Sequence, residues 1–302
     1  MRSWFVVLAA AALTLPTPAS AADVAVLKSA DTPAWRPALD ALRRAAAAHN
    51  LVEHDLRNDR AEADRIVAGL QGKAGVIVAL GPLAAQAAQA GGSETPLVFC
   101  MVQDPTRLGL VGAANVTGVS FQIPIKNQLA AFRLVNPRGV RIGVIYSEQN
   151  TGAQVAEATK AVGVVRLSLV TRPVASEREV PEALRGMLKG AEAVDALWIP
   201  PDPILVGDES RRYILGETLK AGKPVYSFSP ALVAEGALVS NGPDMASIGE
   251  QVADLVNRLA AGEKGRIEML IPRAELVINK KIADKLKVEI PADALRAAGK
   301  VL

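Results

Sequence analysis

Short apolar runs alternate with alanine-rich, amphipathic stretches along the chain, and the clearest pair lies at residues 75–90. Val76–Leu80 is a continuous β-branched run, which is typical of a strand buried on both faces of a parallel sheet. Gly81 interrupts the run and Pro82 begins a helix, since proline is favoured at the first helical position. A strand that ends at a helix N-terminus leaves backbone amides that can bind an anion. The same pattern also fits an ordinary strand-to-helix turn.

The alternation continues on both sides of this pair. Before residue 120 it predicts strands at Val24–Leu27, Val52–Leu56, Val76–Leu80 and Leu97–Val102. It predicts helices at Pro33–Ala48, Ala61–Leu70 and Leu83–Ala90. Strands and helices at this spacing indicate a parallel, doubly wound sheet, in which ligands bind beyond the carboxyl ends of the strands.

The architecture repeats after residue 120, without a close sequence repeat. Strands are predicted at Arg141–Tyr146, Arg166–Val170, Ala196–Ile199, Pro224–Phe228 and Leu276–Ile278. Helices are predicted at Pro124–Leu134, Thr151–Ala161, Asp208–Leu219, Asp244–Ala261 and Asn279–Leu286, with caps at Asn150, Ser176–Glu179 and Ser247–Glu250. The extended stretches Asn115–Phe121 and Ala237–Ser240 are interpreted as crossovers that let two lobes bend as a hinge.

The fold class that follows is α/β, with two flavodoxin- or Rossmann-like doubly wound lobes. We expect lobe 1 to contain residues 22–120 with about 241–272, and lobe 2 residues 121–240 with about 273–302. The N-terminus fits a signal peptide over residues 1–21, since Arg2 precedes the apolar run Trp4–Leu15 and the small residues Ala19–Ala21. That run is too short to span a bilayer. We therefore expect export to the periplasm, with cleavage near Ala21.

Composition and charge exclude several classes of protein. The formal charge of +3 is spread without long basic runs, so no nucleic-acid partner is predicted. Cys100 is the single cysteine and lies in an apolar run, so we expect it in a core rather than in a disulfide. His49 and His54 are the only histidines, and no carboxylate cluster accompanies them at ligand spacing. No metal or other cofactor is predicted.

Motifs for common catalytic sites are missing from the chain. It contains no G-x-S-x-G, no Walker A, no G-x-G-x-x-G and no H-E-x-x-H. Asp104, Glu148 and Asp202 follow predicted strands, and two of them could form an acid–base pair. They could equally hydrogen-bond a ligand or cap the next helix. An enzyme is the weaker interpretation.

Six segments, taken in order over Val24–Pro291, are similar to one known family. They are GVIVALGPLAAQAA, PLVFCMVQDP, NVTGVSF, RIGVIYSEQN, KPVYSFSPALVAEGALVS and ELVINKKIADKLKVEIP. The chain resembles the ABC-transporter substrate-binding protein family whose members include proposed tryptophan and tyrosine binders. The resemblance implies the type I periplasmic-binding-protein fold, a ligand cleft between two lobes joined by three crossovers, and a membrane permease with its ATPase as partners.

The resemblance also implies ligand contacts, position by position. The family's Gly-Thr before its first-lobe helix falls at Gly81-Pro82, so the threonine hydroxyl is absent here. The family's Glu-x-Asn-Ser/Thr motif fits Glu148, Asn150 and Thr151. With the family's other matching positions and the end of the first strand, the predicted ligand-binding set is Ser29, Gly81, Pro82, Asp104, Glu148, Asn150, Thr151, Asp202, Phe228 and Ser229.

The sequence thus predicts an exported, monomeric solute-binding protein of an ABC importer, and not an enzyme. Amides near Pro82 would suit a ligand carboxylate, and the acidic residues at strand ends would suit an ammonium or hydroxyls. That combination favours a small, amino-acid-like ligand. A periplasmic ligand sensor for a signalling partner would need only the same closing cleft, and the sequence leaves it open as an alternative, beside the carboxylate-dependent enzyme.

Overall fold

The computed structural model describes residues 21–92 and 94–302, so the predicted signal peptide lies outside the described residues except for Ala21. The strands are β1 (Asp23–Lys28), β2 (Asn50–Asp55), β3 (Val76–Leu80), β4 (Leu97–Cys100), β5 (Val116–Gly118), β6 (Arg141–Tyr146), β7 (Ser168–Pro173), β8 (Ala196–Ile199), β9 (Val225–Ser227), β10 (Val239–Pro243), β11 (Ala274–Ile278) and β12 (Lys300–Val301). The helices are α1 (Arg36–Ala45), α2 (Arg60–Leu70), α3 (Pro82–Ala90), α4 (Ile125–Val135), α5 (Glu148–Ala161), α6 (Val180–Leu188), α7 (Pro203–Val206), α8 (Asp208–Lys220), α9 (Pro230–Glu235), α10 (Met245–Ala260), α11 (Lys280–Leu286) and α12 (Ala292–Ala297).

The strands of the described residues form two sheets with matching topology. The first is parallel throughout, in the order β2-β1-β3-β4-β5. The second contains the same doubly wound order as β7-β6-β8-β9-β10, extended by β11 and β12. Only the β10–β11 pair of this sheet is antiparallel. The predicted α/β class with two doubly wound sheets is confirmed.

Each sheet is buried on both faces by packed helices, and successive side chains of its strands point to these two faces in turn. On the first sheet, Val76 and Val78 pack with α1 and α10, whereas Ile77 and Ala79 pack with α2 and α3. The second sheet is covered in the same way by two hydrophobic cores. Both faces being apolar explains why the strands read as continuous hydrophobic runs.

Helix α10 packs on the first sheet, although it follows most strands of the second sheet along the chain. The absence of a side chain at Gly249 allows this helix to lie against α1, since an added Cβ would stand 2.0 Å from the Ala38 carbonyl oxygen. His49 Nε2 and Asn257 Oδ1 lie 2.9 Å apart across the same contact. β11 and β12 then return to the second sheet.

Several predicted elements differ from the structure by a few residues at one or both ends, and proline and backbone geometry account for two of these differences. The helix expected at 33–48 is divided into a 3₁₀ turn, Pro33–Trp35, and α1, because Pro37 has no N–H to donate to the carbonyl of residue 33. The strand expected from Arg166 begins instead at Ser168, because Arg166 has a left-handed φ of 56°. The stretch expected as a crossover at 237–240 includes the start of β10, a paired strand whose far end leads into α10.

Two predicted caps are wrong. Ser147, not Asn150, is the N-cap of α5, and the helix begins at Glu148. Asp244 caps α10 by accepting the Ser247 N–H at 3.2 Å, so the helix begins before the expected capping box. In both cases a polar residue three positions upstream of the expected cap makes the first turn.

Candidate functional site

A cavity of about 270 Å³ lies where the carboxyl ends of strands from both sheets meet the segments that connect them. The first-sheet side contributes Trp35, Gln103 and the start of α10, and the second-sheet side contributes α5 and the loops after β8 and β9. The connecting segments Phe121–Gln128 and Asn241–Pro243 line the remainder. A site of this kind touches both halves of the chain at once.

The lining is apolar and amide-rich, with little charge. The rings of Trp35, Phe121 and Phe228 supply its aromatic surface. Its side-chain amides belong to Gln103, Gln122, Gln128, Gln154 and Asn241. Glu275, at the start of β11, is the single ionisable side chain among the lining residues that the structure describes. An apolar pocket with a few fixed polar groups is typical of a small-molecule site.

Gln128, in the first turn of α4, presents an unsatisfied acceptor. Its Nε2 donates to the Ile123 carbonyl at 2.9 Å, which fixes the amide. Its Oε1 is buried and has no hydrogen-bond partner, although the residue lines the cavity and is only 7% exposed. A buried acceptor left unpaired costs about 1–3 kcal/mol, so a donor from a bound molecule would recover that free energy.

The predicted anion site after β3 is largely occupied by the protein itself. Ser29, buried at the end of β1, accepts the Ala84 N–H on its Oγ at 3.0 Å. Pro82 has no N–H, and a Cβ on Gly81 would stand 2.7 Å from both Ser29 Oγ and Cη2 of the Trp35 ring. Gly81 has a φ of 90°, which glycine adopts without strain. The helix N-terminus is therefore capped by Ser29 and covered by Trp35, which itself lines the cavity.

The equivalent point of the second sheet is closed in the same manner. Asp202, after β8, is fully buried and accepts four hydrogen bonds. Its Oδ2 accepts from Ser147 N at 2.7 Å, Ser147 Oγ at 2.8 Å and Thr151 Oγ1 at 2.6 Å. Its Oδ1 accepts from Ile204 N at 3.0 Å and caps α7. Doubly wound folds place ligands at the point where the strand order reverses. In both sheets of this protein, side-chain hydrogen bonds connect the elements that meet at that point.

Three further predicted residues lie at strand ends on the surface. Asp104 is exposed and accepts the Arg107 N–H at 2.9 Å in a turn. Glu148 begins α5 and accepts from Tyr146 Oη at 2.6 Å, and this hydrogen bond raises the pKa of Tyr146. Asn150 donates to Ser147 Oγ at 2.7 Å. None of these three lines the cavity.

Phe228 and Ser229 are the predicted residues that do line the cavity, and Ser229 also caps α9 by accepting the Ala231 N–H at 3.3 Å. Ligand contact by the whole predicted set stays a prediction. Sequence reasoning missed Gln128 and Glu275, because both lie near the amino ends of their elements rather than after a strand. Trp35 was not predicted as a contact either, because it lies within the helix expected at Pro33–Ala48.

The described residues offer no group of three or more His, Cys, Asp or Glu side chains that could hold a metal ion. Over residues 21–92 and 94–302, no helix has both the length and the hydrophobicity needed to cross a membrane.

Residues 35–302 match the family model described as ABC transporter substrate binding protein. The chain belongs to this family. A relative named tyrosine-binding protein, from Clostridioides difficile strain R20291, is 26% identical over 235 residues. The match covers 74% of this chain and 66% of that relative, which is slightly less than two thirds of its length.

Two solved structures share the fold. The ABC domain from Streptococcus pneumonia in complex with L-Trp is 24% identical, with a TM-score of 0.66 over 94% of this chain and 100% of that one. A ligand-free, open substrate-binding protein with adhesive properties from Clostridium difficile is 20% identical, with a TM-score of 0.82 over 93% and 99%. The family member described here therefore has the two-lobed type I periplasmic-binding-protein architecture.

Proposed function

We propose that this family member is the exported solute-binding component of an ABC importer. It captures a small aromatic, amino-acid-like solute in the cavity between its two sheets and delivers it to a membrane permease driven by an ATPase. The observation that carries the proposal is the cavity itself, with three aromatic rings, one carboxylate and an unpaired buried acceptor. The relative named tyrosine-binding protein and the similar ABC domain solved in complex with L-Trp support the aromatic ligand.

Transport by this mechanism needs closure, which the arrangement supports. We propose lobes at residues 22–120 with about 241–272 and at 121–240 with about 273–302. A ligand that contacts Trp35 on one side and Phe228 on the other binds a closed state more tightly than an open one. That difference in affinity shifts the population, and a permease can recognise the closed shape. The protein holds its ligand as a monomer and does not change it chemically.

Mass spectrometry of the small molecule that co-purifies with the exported protein is the first experiment. Calorimetry with that molecule then compares Trp35→Ala and Phe228→Ala with His54→Ala, whose site on β2 is outside the cavity lining. Each ring deletion is expected to weaken binding about tenfold or more, because aromatic anchors in a desolvated pocket dominate affinity. Binding by both ring variants at the affinity of the His54→Ala control would contradict the proposed site.

Closure has its own measurement. Small-angle scattering should give a smaller radius of gyration when the ligand is added, since both lobes approach it. An unchanged radius at saturating ligand would refute the closing of the lobes. Recovery of the ligand in a chemically altered form would replace the binding function with an enzymatic one.

A further inference from the structure

We propose that the cavity selects a ligand with net positive charge, an aromatic primary amine, through Glu275 and Gln128. This inference rests on the proposed function, because it concerns the ligand class of the same cavity. It narrows the amino-acid-like ligand of the proposed function to one that keeps the amino group and lacks the carboxylate.

Glu275 supplies an unpaired negative charge. It pairs with Gly242 in the antiparallel register of β10 and β11. Gly299 packs against its aliphatic part, since a Cβ added to Gly299 would lie 3.1 Å from Glu275 Cγ. Its carboxylate has no ion pair within the described part of the chain. Arg273, two residues earlier, is paired instead with Glu250 at 3.4 Å. A half-buried carboxylate with no cation facing it is suited to an ammonium group.

A ligand carboxylate finds no matching cation. Lys28, at the end of β1, is paired with Glu53 at 3.2 Å, and no Lys, Arg or His lines the cavity as the structure describes it. Ser29 already accepts the amide that the first turn of α3 could offer through Ala84. The backbone amides in the first turn of α4, which begins at Ile125 in the cavity lining, are the remaining groups that could bind an anion.

The neutral groups of the lining complete the selection. The face of Trp35 can attract an ammonium group, and the rings of Phe121 and Phe228 can cover an aromatic body. Gln128 Oε1 needs an N–H donor, which a primary ammonium or an indole N–H provides. A quaternary ammonium has no N–H and would leave that acceptor unpaired.

Calorimetry at neutral pH and low salt with three indole probes tests the inference. Tryptamine carries only the ammonium, 3-indolepropionate only the carboxylate, and L-tryptophan both. We expect tryptamine to bind at least tenfold more tightly than L-tryptophan, and 3-indolepropionate to bind more weakly than either. Glu275→Gln should weaken tryptamine binding about thirtyfold, because removing a desolvated charge partner has an effect of that order. Gln128→Met should weaken it about tenfold.

Glu268→Gln is the matched control, since it removes the same charge from an exposed residue outside the lining. It should leave tryptamine affinity unchanged. Tighter binding of L-tryptophan than of tryptamine, or equal tryptamine affinity in Glu275→Gln and Glu268→Gln, would overturn the cationic selection while the proposed solute-binding function stands. Failure of all three probes to bind the folded protein would overturn the cationic selection, and the proposed function would fall with it if the co-purified molecule also did not bind.

Discussion

The hydrogen bonds around Asp202 predict a large and local loss of stability when its carboxylate is removed. In Asp202→Ala, two backbone donors, Ser147 N and Ile204 N, lose their acceptor, together with the hydroxyls of Ser147 and Thr151. The hydroxyls can turn to other partners, but the two backbone donors are fixed. At about 1–3 kcal/mol for each unpaired buried donor, the loss is roughly 2–6 kcal/mol. That is a large fraction of the 5–15 kcal/mol typical of a folded protein.

Urea denaturation, monitored by circular dichroism, measures this loss as a shift in midpoint. Asp59→Ala is the matched control, because Asp59 also caps a helix by accepting two amides, from Ala61 at 2.8 Å and Glu62 at 3.1 Å, but lies at the surface. Its loss should be about 1 kcal/mol. Asp202→Asn should fall between the two, since it keeps one acceptor oxygen. Equal losses for Asp202→Ala and Asp59→Ala would refute the structural role assigned to the buried carboxylate.

Three further predictions concern single side chains. Burial raises the pKa of the Cys100 thiol from 9.0 to about 12. The thiol should therefore react slowly with a disulfide reagent at pH 8 until urea unfolds the chain. The stability that the neutral thiol contributes should be lost as the pH rises from 9 towards 12. Gly81→Ala should lower the free energy of unfolding measured in urea, because φ of Gly81 is 90° and an added Cβ would meet Trp35. Gly216→Ala, in α8, should instead raise the free energy of unfolding by roughly 0.5–1 kcal/mol, because alanine has the higher helix propensity. Tyr226→Phe should cost about 1 kcal/mol in the same assay, because the hydroxyl accepts from Asn136 Nδ2 at 2.9 Å in the core; no loss would contradict that reasoning.

The sequence was sufficient for the fold class because the strands are buried on both faces. Arg141–Tyr146 and Ala196–Ile199 have the bounds predicted for them, since a short apolar run that ends at Ser147 or at Pro200 has few alternatives. Bounds failed where one backbone angle decides them, as at Arg166, or where a missing N–H divides a helix, as at Pro37. Those effects leave no hydrophobic periodicity to detect.

The candidate site was harder to predict, because polar residues after strands have two uses. Asp202 and Ser29 were predicted as ligand contacts. In the structure, the side-chain oxygen atoms of both residues accept hydrogen bonds from backbone amides of neighbouring elements. Distinguishing these roles requires three-dimensional distances, which a single sequence does not contain. Glu275 precedes an ordinary apolar run and becomes part of the cavity only because β11 pairs antiparallel to β10. That pairing brings its amino end to the carboxyl end of its neighbour.

The return of α10 to the first sheet has a consequence for the order in which the protein can fold. His49 and Asn257 are separated by 208 residues, and the apolar face of the first sheet that α10 covers stays open until that helix is available. A chain released N-terminus first, from a ribosome or a membrane channel, therefore cannot complete its first lobe before most of its second lobe has emerged. Contacts of such long sequence separation slow folding. The same connection that links the lobes would keep the growing chain incompletely folded, which is the state in which it could still be threaded through a narrow channel.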